Sequence, residues 1–264
     1  MTNLTLNDGR AMPALGLGTY QIPDAHVAGV VRAGLDLGFA LVDTAAIYHN
    51  ERGVGEGLGA SDAFLTTKLW NDRHGDAAAA LDESLALLGR EAVDLYLIHW
   101  PVPSQDRFVD AWKALIEMRE QGKVASIGVS NFLPEHIDAI VAATGVTPAV
   151  NQIELHPTFQ QREGQAYHAD KGIVTQSWSP LGQGATLKDA RVVEVAARVG
   201  ATPAQVIIAW HLAKGFSVIP KAGDLDHLAD NWRAGAVTLD DDAIAALDAM
   251  DDPAGRIGPD PRRF

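Results

Sequence analysis

The chain has no cysteine, which excludes a disulfide framework, a thiolate nucleophile and a cysteine-ligated metal site. No run of about 18 apolar residues is present to cross a bilayer. The N-terminus, MTNLTLNDGR, lacks the basic segment and apolar core of a secretion signal. A soluble cytoplasmic protein is the expectation, with no membrane partner. Positive charge is also scarce: 21 Lys and Arg stand against 34 Asp and Glu, a formal net charge of −13. That balance opposes nonspecific binding to nucleic acid. It leaves a small ligand open, because a pocket can be locally positive on an acidic protein. Familiar motifs are missing as well. No GxGxxG stands in a strand-turn-helix context to indicate a Rossmann domain, and no HExxH or His-X-His pair announces a metal site.

What the chain does have is length and alternation. Its 264 residues, 47% of them hydrophobic, suffice for one large core. Apolar runs at 15–17, 41–43, 64–67, 93–98, 125–129, 149–153, 173–177 and 217–219 read as eight strands. Helical patterns at 25–37, 51–59, 76–88, 106–120, 134–143, 161–171, 189–199 and 225–232 alternate with them, and further helices fall near 203–213 and 240–249. Eight such units without a long linker predict an α/β fold, a closed TIM-type (β/α)8 barrel, as one domain over residues 1–264. LTLNDGRAMP reads as two short extended pieces turning at Asp8-Gly9, an N-terminal β-hairpin. The last stretch, DDPAGRIGPDPRRF, is poor in helix formers and predicts an irregular C-terminal tail.

Polar residues close several of the apolar runs. Asp43 ends FALVD, Lys68 ends AFLTTK, His99 ends VDLYLIH, and Tyr48 lies just beyond Asp43 in TAAIYHNE. Strand ends in a parallel α/β protein converge on one face, so these distant residues can share a pocket. The set suits carbonyl chemistry. Tyr48 is the candidate general acid, and a phenol of ordinary pKa about 10 needs a cation nearby to carry the developing phenolate. Lys68 supplies the cation, and Asp43 fixes and compensates it. His99 can donate a hydrogen bond that orients the substrate carbonyl. Each residue alone has a blander reading: Asp43 as a cap, Tyr48 as a rim residue, Lys68 as a solvated ion pair, His99 as a structural histidine beside Trp100. A metal hydrolase using His49, Glu51, His99, His156 and Asp43 is an alternative on paper, but Lys68 would set a cation beside that centre. No metal is expected.

The strings LVDTAAIYHNERGVG, FLTTKLW, VDLYLIHWP, GKVASIGVSNF, NQIELHP, WSPLGQG and VIPK occur in this order over nearly the whole chain. On these motifs the chain resembles the aldo-keto reductase family. A particular likeness to bacterial 2,5-diketo-D-gluconate reductases lies in TAAIY, TTKLWNDRHG, VAATGV, PAVNQIELHP and SPLGQG. The resemblance implies an NAD(P)H-dependent oxidoreductase that reduces an aldehyde or ketone to an alcohol by direct hydride transfer, with Tyr48 as proton donor. It also implies a hairpin that plugs the bottom of the barrel, a tail that approaches the substrate pocket, and a monomer. A noncatalytic nicotinamide-binding barrel, serving interaction or redox sensing, is the alternative from another functional class.

Without a Rossmann domain, the barrel itself must hold the nucleotide. Family correspondence makes Ser130, Asn131 and Gln152 holders of the nicotinamide carboxamide and Trp178 the platform for its ring. It makes Lys221 a phosphate contact and puts Asp230 and Asn231 near the adenine. Leu181, Gly182, Gln183 and Gly184 can offer backbone donors to a pyrophosphate, although alone they read as a simple loop. NADPH-selective members usually carry serine after the lysine and arginine at the position of His227; here stand Ala222 and His227, with Asp224 and Asp226 nearby. Histidine lacks the guanidinium fork that suits a 2′-phosphate. Weakened NADPH selectivity, with use of both NADPH and NADH, is the expectation. Tyr20, Ile47, Trp70, His99 and Trp100 are the candidate substrate contacts, and Arg256 in the tail could either reach a substrate carboxylate or remain in solvent. Diketones, keto acids and sugar-derived carbonyls all satisfy the expectation of a small carbonyl substrate.

Overall fold

The computed structural model describes residues 2–264 and begins with an antiparallel pair, β1 (Asn3–Thr5) and β2 (Ala11–Pro13). Their connection contains Asp8-Gly9, as predicted, and Gly9 takes φ 85°, a left-handed conformation that favours glycine. Asp8 Oδ2 accepts from Ser126 Oγ at 2.6 Å and Asn7 Nδ2 donates to Pro148 O at 2.9 Å, which ties the turn to the sheet above it. Leu6 and Met12 pack with Leu41, Phe64 and Val150, residues that start three barrel strands. The hairpin therefore covers the N-terminal mouth of the barrel.

Eight parallel strands follow: β3 (Leu17–Gly18), β4 (Leu41–Asp43), β5 (Phe64–Leu69), β6 (Val93–Ile98), β7 (Val124–Ser130), β8 (Val150–Glu154), β9 (Val174–Trp178) and β10 (Ser217–Val218). They pair in chain order. The ring closes where Leu15 bridges Val218 and Gly18 bridges Lys221, with Gly16 N donating to Val218 O at 2.9 Å and Gly18 N to Pro220 O at 3.2 Å. Every residue of β4, β5 and β8 is buried, because a packed interior lies on one face and a helical layer on the other.

The outer layer comprises α1 (Asp24–Leu37), α2 (Glu51–Leu58), α3 (Ala77–Leu88), α4 (Phe108–Glu120), α5 (Pro134–Thr144), α6 (Arg162–Lys171), α7 (Ala190–Val199), α8 (Pro203–Ala213), α9 (Leu225–Arg233) and α10 (Asp241–Asp248). One apolar cluster fills the space between the first helices and the barrel, and a second gathers α7, α8 and α10 against Ile153 and Leu155. Helix α8 starts in a capping box: Thr202 Oγ1 accepts from Gln205 N, and Gln205 Oε1 accepts from Thr202 N, both at 3.2 Å. Among the described residues no single helix is long and apolar enough to cross a membrane.

The architecture matches the sequence expectation, with local differences. Short 3-10 turns at Ala46–Tyr48, Asn71–Asp76, Pro103–Gln105 and Gly182–Gly184 were not expected, since so few residues carry no hydrophobic period to read. Two of these turns delay α3 and α4 to Ala77 and Phe108. The strand expected at 15–17 is displaced to Leu17–Gly18, and Leu15 makes only an isolated bridge. The tail beyond α10 is irregular, as expected.

The closing seam sets a steric test. A Cβ on Gly18 would sit 2.8 Å from Ile219 O, whereas one on Gly29, inside α1, meets nothing within 4 Å. Gly18→Ala should cost about 1–3 kcal/mol of stability through overpacking. Gly29→Ala should be neutral or stabilising by about 0.5–1 kcal/mol. Urea denaturation of both variants checks the contrast, and equal behaviour would contradict the seam geometry.

Candidate active site

The C-terminal ends of the strands bring the four polar residues together. Asp43 is the last residue of β4, Lys68 is next to last in β5, His99 follows β6, and Tyr48 ends the 3-10 turn after β4. Asp43 and Lys68 are fully buried, while Tyr48 is half-buried at the cavity wall. Lys68 Nζ donates to Asp43 Oδ1 at 2.6 Å and to Thr44 O at 2.7 Å, and it stands 3.5 Å from Tyr48 Oη. Burial works against both charges, raising Asp43 and lowering Lys68, and their contact works in favour of both. Burial also pushes the Tyr48 phenol well above its ordinary value, with Asp43 and Tyr20 acting in the same direction. The phenol thus keeps its proton. Burial, reinforced by Lys68, holds His99 well below its ordinary value, so the imidazole is neutral.

Residues that the sequence reading passed over hold this group in place. Asn50 is fully buried; its Oδ1 accepts from Thr44 Oγ1 at 2.9 Å, and its Nδ2 donates to Thr19 O and Ile22 O at 2.9 and 3.0 Å. Through the Thr44 hydroxyl it holds the residue whose carbonyl receives Lys68, and it holds the loop that carries Tyr20. Glu51, considered above as a metal ligand, instead accepts from Thr67 Oγ1 at 2.6 Å and Ser84 Oγ at 3.1 Å. His156 bonds Glu154 and Thr158, and no cluster of three metal-ligating groups forms among the described residues.

A cavity of about 840 Å3 opens above the buried pair. Tyr20, Ile47, Trp70, His99 and Trp100 line it, as do Asn131, Gln152, Trp178, Leu181, Gln183, Gly184 and Lys221. Asn131, at φ 61°, donates through Nδ2 to His99 O at 3.1 Å and to Ser130 Oγ at 3.0 Å, and its Oδ1 accepts from Trp178 Nε1 at 2.8 Å. These bonds fix the indole. Gln152 Nε2 donates to Asp43 Oδ2 and to Gln176 Oε1, both at 2.7 Å, so the amide cluster touches the ion pair. A glutamine at the centre of each of two neighbouring strands rich in polar residues, VNQIE and VTQSW, was a readable sign of such an internal network.

Other expected contacts are engaged within the fold or lie apart from the cavity wall. The Gly182 and Gly184 amides donate to Ser179 O and Leu181 O at 2.9 Å, whereas Gln183 N makes no such backbone bond among the described residues. Asp230 accepts from Thr202 Oγ1 and Gln205 Nε2 at 2.7 Å, which joins α9 to the start of α8, and Asn231 is buried beside it. His227 is exposed and its Nδ1 pairs with Asp224 Oδ2 at 2.5 Å. Ala222 is buried.

The tail closes one side. Ile257, Gly258, Pro259 and Phe264 line the cavity. The buried Glu154, at the end of β8, accepts from Ile257 N at 2.6 Å and Gly258 N at 2.8 Å, with His156 Nε2 at 3.0 Å from the same carboxylate. Gly258 lies flat on Trp178: a Cβ there would come within 2.5 Å of the indole Cη2. Phe264 packs on Trp100 at 4.5 Å between ring centroids. Arg256 stays away from the pocket: its guanidinium lies 4.7 Å over the Phe159 ring and donates to Pro259 O at 3.4 Å, outside the cavity lining. Nothing in the local sequence signals Glu154 or Phe264, whose contacts span the length of the tail.

A barrel with this polar group at its strand ends and an aromatic cavity above it defines a nicotinamide-dependent reductase class. The model of the Aldo/keto reductase family matches residues 14–252, and the chain belongs to this family. It is 46% identical over 268 residues to an aldo-keto reductase of Mycolicibacterium smegmatis, covering 99% of this chain and 97% of that protein. Methylglyoxal reductase DkgA of Escherichia coli is 44% identical over 270 residues, 100% of this chain and 98% of the relative. A solved structure of a Gox0644 mutant in complex with NADPH is 48% identical with a TM-score of 0.97, covering 99% of this chain and 97% of that one. The chain is accordingly an NAD(P)H-dependent carbonyl reductase.

The anchor of the tail makes a prediction about pH. Burial acts to raise Glu154, but His156 and the two tail amides outweigh it and hold the carboxyl below its usual 4.5. Tail attachment is therefore complete above the ordinary carboxylate pKa and weakens as pH falls through the depressed value. Glu154→Gln keeps one acceptor and loses a charge-assisted bond, a loss of about 1.5–3 kcal/mol. Amide exchange at Ile257 and Gly258 should quicken about tenfold or more in that variant at neutral pH. Unchanged exchange would refute the anchor.

Proposed function

We propose that residues 1–264 act as one monomeric barrel domain that reduces an aldehyde or ketone with Tyr48 as proton donor. The observation that carries this reading is the Lys68 ammonium, bonded to Asp43 at 2.6 Å and 3.5 Å from the Tyr48 oxygen, below an 840 Å3 cavity. The reduced nicotinamide, when bound, supplies a hydride to the carbonyl carbon. As negative charge gathers on the carbonyl oxygen, Tyr48 passes its phenolic proton to that atom, and Lys68 stabilises the phenolate left behind. Neutral His99 donates a hydrogen bond to the same oxygen without adding charge. Solvent then returns a proton to Tyr48.

The cavity and its donors fit the cofactor. Trp178, held by Asn131, offers a fixed flat face for the nicotinamide ring, and Asn131, Ser130 and Gln152 form an amide and hydroxyl cluster for its carboxamide. Lys221 and the Gln183 amide of the Leu181–Gly184 turn serve the phosphates, and Asp230 and Asn231 the adenine side. The NADPH complex of the relative at 48% identity supports NADPH as one cofactor. Exposed His227, paired with Asp224, supports weakened discrimination and use of NADH as well. A small dicarbonyl such as methylglyoxal, for which the Escherichia coli relative is named, is the first substrate to test.

Tyr48→Phe should retain cofactor binding and lose carbonyl reduction by roughly 10²–10⁴-fold. Lys68→Met should impair reduction and alter the high-pH limb of the rate profile. Wild-type turnover by the Phe variant, measured as carbonyl-dependent cofactor oxidation, would remove Tyr48 from its role.

For the cofactor, His227→Arg should tighten NADPH relative to NADH by about 1–3 kcal/mol, and the gain should shrink with salt. Dissociation constants of both cofactors at two ionic strengths provide the measurement. No relative gain would place the 2′-phosphate away from α9.

A further inference from the structure

Resting on the cofactor reading above, we infer that Gln176 is a positioning residue for the nicotinamide: it locks the Gln152 amide so that the Gln152 oxygen accepts from the carboxamide N–H group. Ser130, Gln152, Gln176 and Ser217 are register partners in turn across β7, β8, β9 and β10, so their side chains share one level of the barrel. Gln176 and Ser217 are fully buried and are not part of the cavity lining, whereas Gln152 reaches it. Polar side chains at that depth are costly unless their donors and acceptors are matched.

The direction of each bond in the row is set from one end. Asp43, paired with Lys68, accepts only, so Gln152 must turn its nitrogen to Oδ2, at 2.7 Å. The second N–H on that nitrogen crosses to β9, where Gln176 Oε1 accepts it at 2.7 Å. With its oxygen committed, Gln176 donates through Nε2 to Ser217 Oγ at 3.0 Å. Reversing Gln152 would face oxygen with carboxylate, and reversing Gln176 would face nitrogen with nitrogen. Two bonds from one planar group fix its plane, and no donor among the described residues takes Gln152 Oε1. That oxygen is the polar atom Gln152 keeps for a ligand, and it pairs with an N–H but not with a carbonyl. Ser130 is engaged in the same manner: its hydroxyl donates to Gln152 O at 2.8 Å and accepts from Asn131 Nδ2 at 3.0 Å, which leaves it only a lone pair to offer. Without Gln176, a single bond to Asp43 would let the Gln152 amide swing, and its orphaned N–H would turn toward water in the cavity.

NADP+ and its 3-acetylpyridine analogue test the inference on the purified protein, since the analogue keeps the carbonyl on the ring but carries methyl in place of the amino group. Dissociation constants are read from quenching of tryptophan fluorescence, with no carbonyl substrate present. The wild type should prefer NADP+ by about fivefold, the contribution of one neutral hydrogen bond. Gln152→Met, which deletes the contact itself, should bring the preference to about one. Gln176→Met should lower it to about twofold or less, and Gln176→Glu, which keeps an acceptor for Gln152, should preserve it. Equal weakening of both nucleotides by Gln176→Met, with the preference intact, marks a purely structural residue and overturns the inference; so does loss of the preference in Gln176→Glu. Should the Met variant not fold, Ser217→Ala removes the acceptor that holds Gln176 in turn and should lower the preference about twofold; no change there overturns the inference as well. A wild type without preference, or a Gln152→Met variant that keeps it, refutes Gln152 as a carboxamide holder and takes the inference with it, a failure distinct from one confined to Gln176.

Discussion

A primary ammonium with none of its surface in water sets the terms for the upper half of this barrel. Lys68 cannot remain charged there without partners, and it takes two: the Asp43 carboxylate and the Thr44 carbonyl. Each partner is then held in turn. Asn50 fixes Thr44, and Gln152 bonds the second oxygen of Asp43. Gln152 meets Gln176, and Gln176 donates to Ser217 at 3.0 Å. The network spans β4, β5, β8, β9 and β10. Removing one member of such a buried pair leaves an uncompensated charge, a defect of about 3–5 kcal/mol. Organisation of the site and integrity of the barrel are thus two results of one desolvation problem.

The same network gives the cavity two unlike sides. Asn131 joins them, with one group on the His99 carbonyl and another on the Trp178 indole. Its left-handed backbone, φ 61°, lets a single side chain reach both. One side is therefore a rigid bed with polar edges, and the other is a cluster of rings with no charge. A hydride donor and its acceptor need these different surroundings, since one must be held by its amide and phosphates and the other by shape.

How far the sequence revealed this depends on the range of the signal. Strands such as β5 and β6 were readable because burial on both faces leaves an unbroken apolar run, and a lysine or histidine at its end is conspicuous. Asp43, Lys68 and His99 carried that mark, and Tyr48 stood just beyond one of them. Asp8-Gly9 was readable because a turn is a local event. Glu154 and Ile257 are 103 residues apart, and no local rule pairs them. The direction taken by Arg256 likewise depends on Phe159, which no local rule pairs with it. Asn50 was hidden for a different reason: a polar residue before a helix reads as an ordinary cap, although here its side chain serves two other segments.

The grip of Glu154 on the tail has an evolutionary corollary. A carboxylate that receives main-chain amides reads no side chain, so the lid it secures is held irrespective of most of its sequence. Two of its glycines are constrained by shape, Gly258 pressed on Trp178 and Gly255 against the Thr158 carbonyl. Residues on the tail can then change toward new ligands while the point of attachment and the reacting groups stay as they are, which makes the last segment of the chain an interchangeable part on a fixed mount.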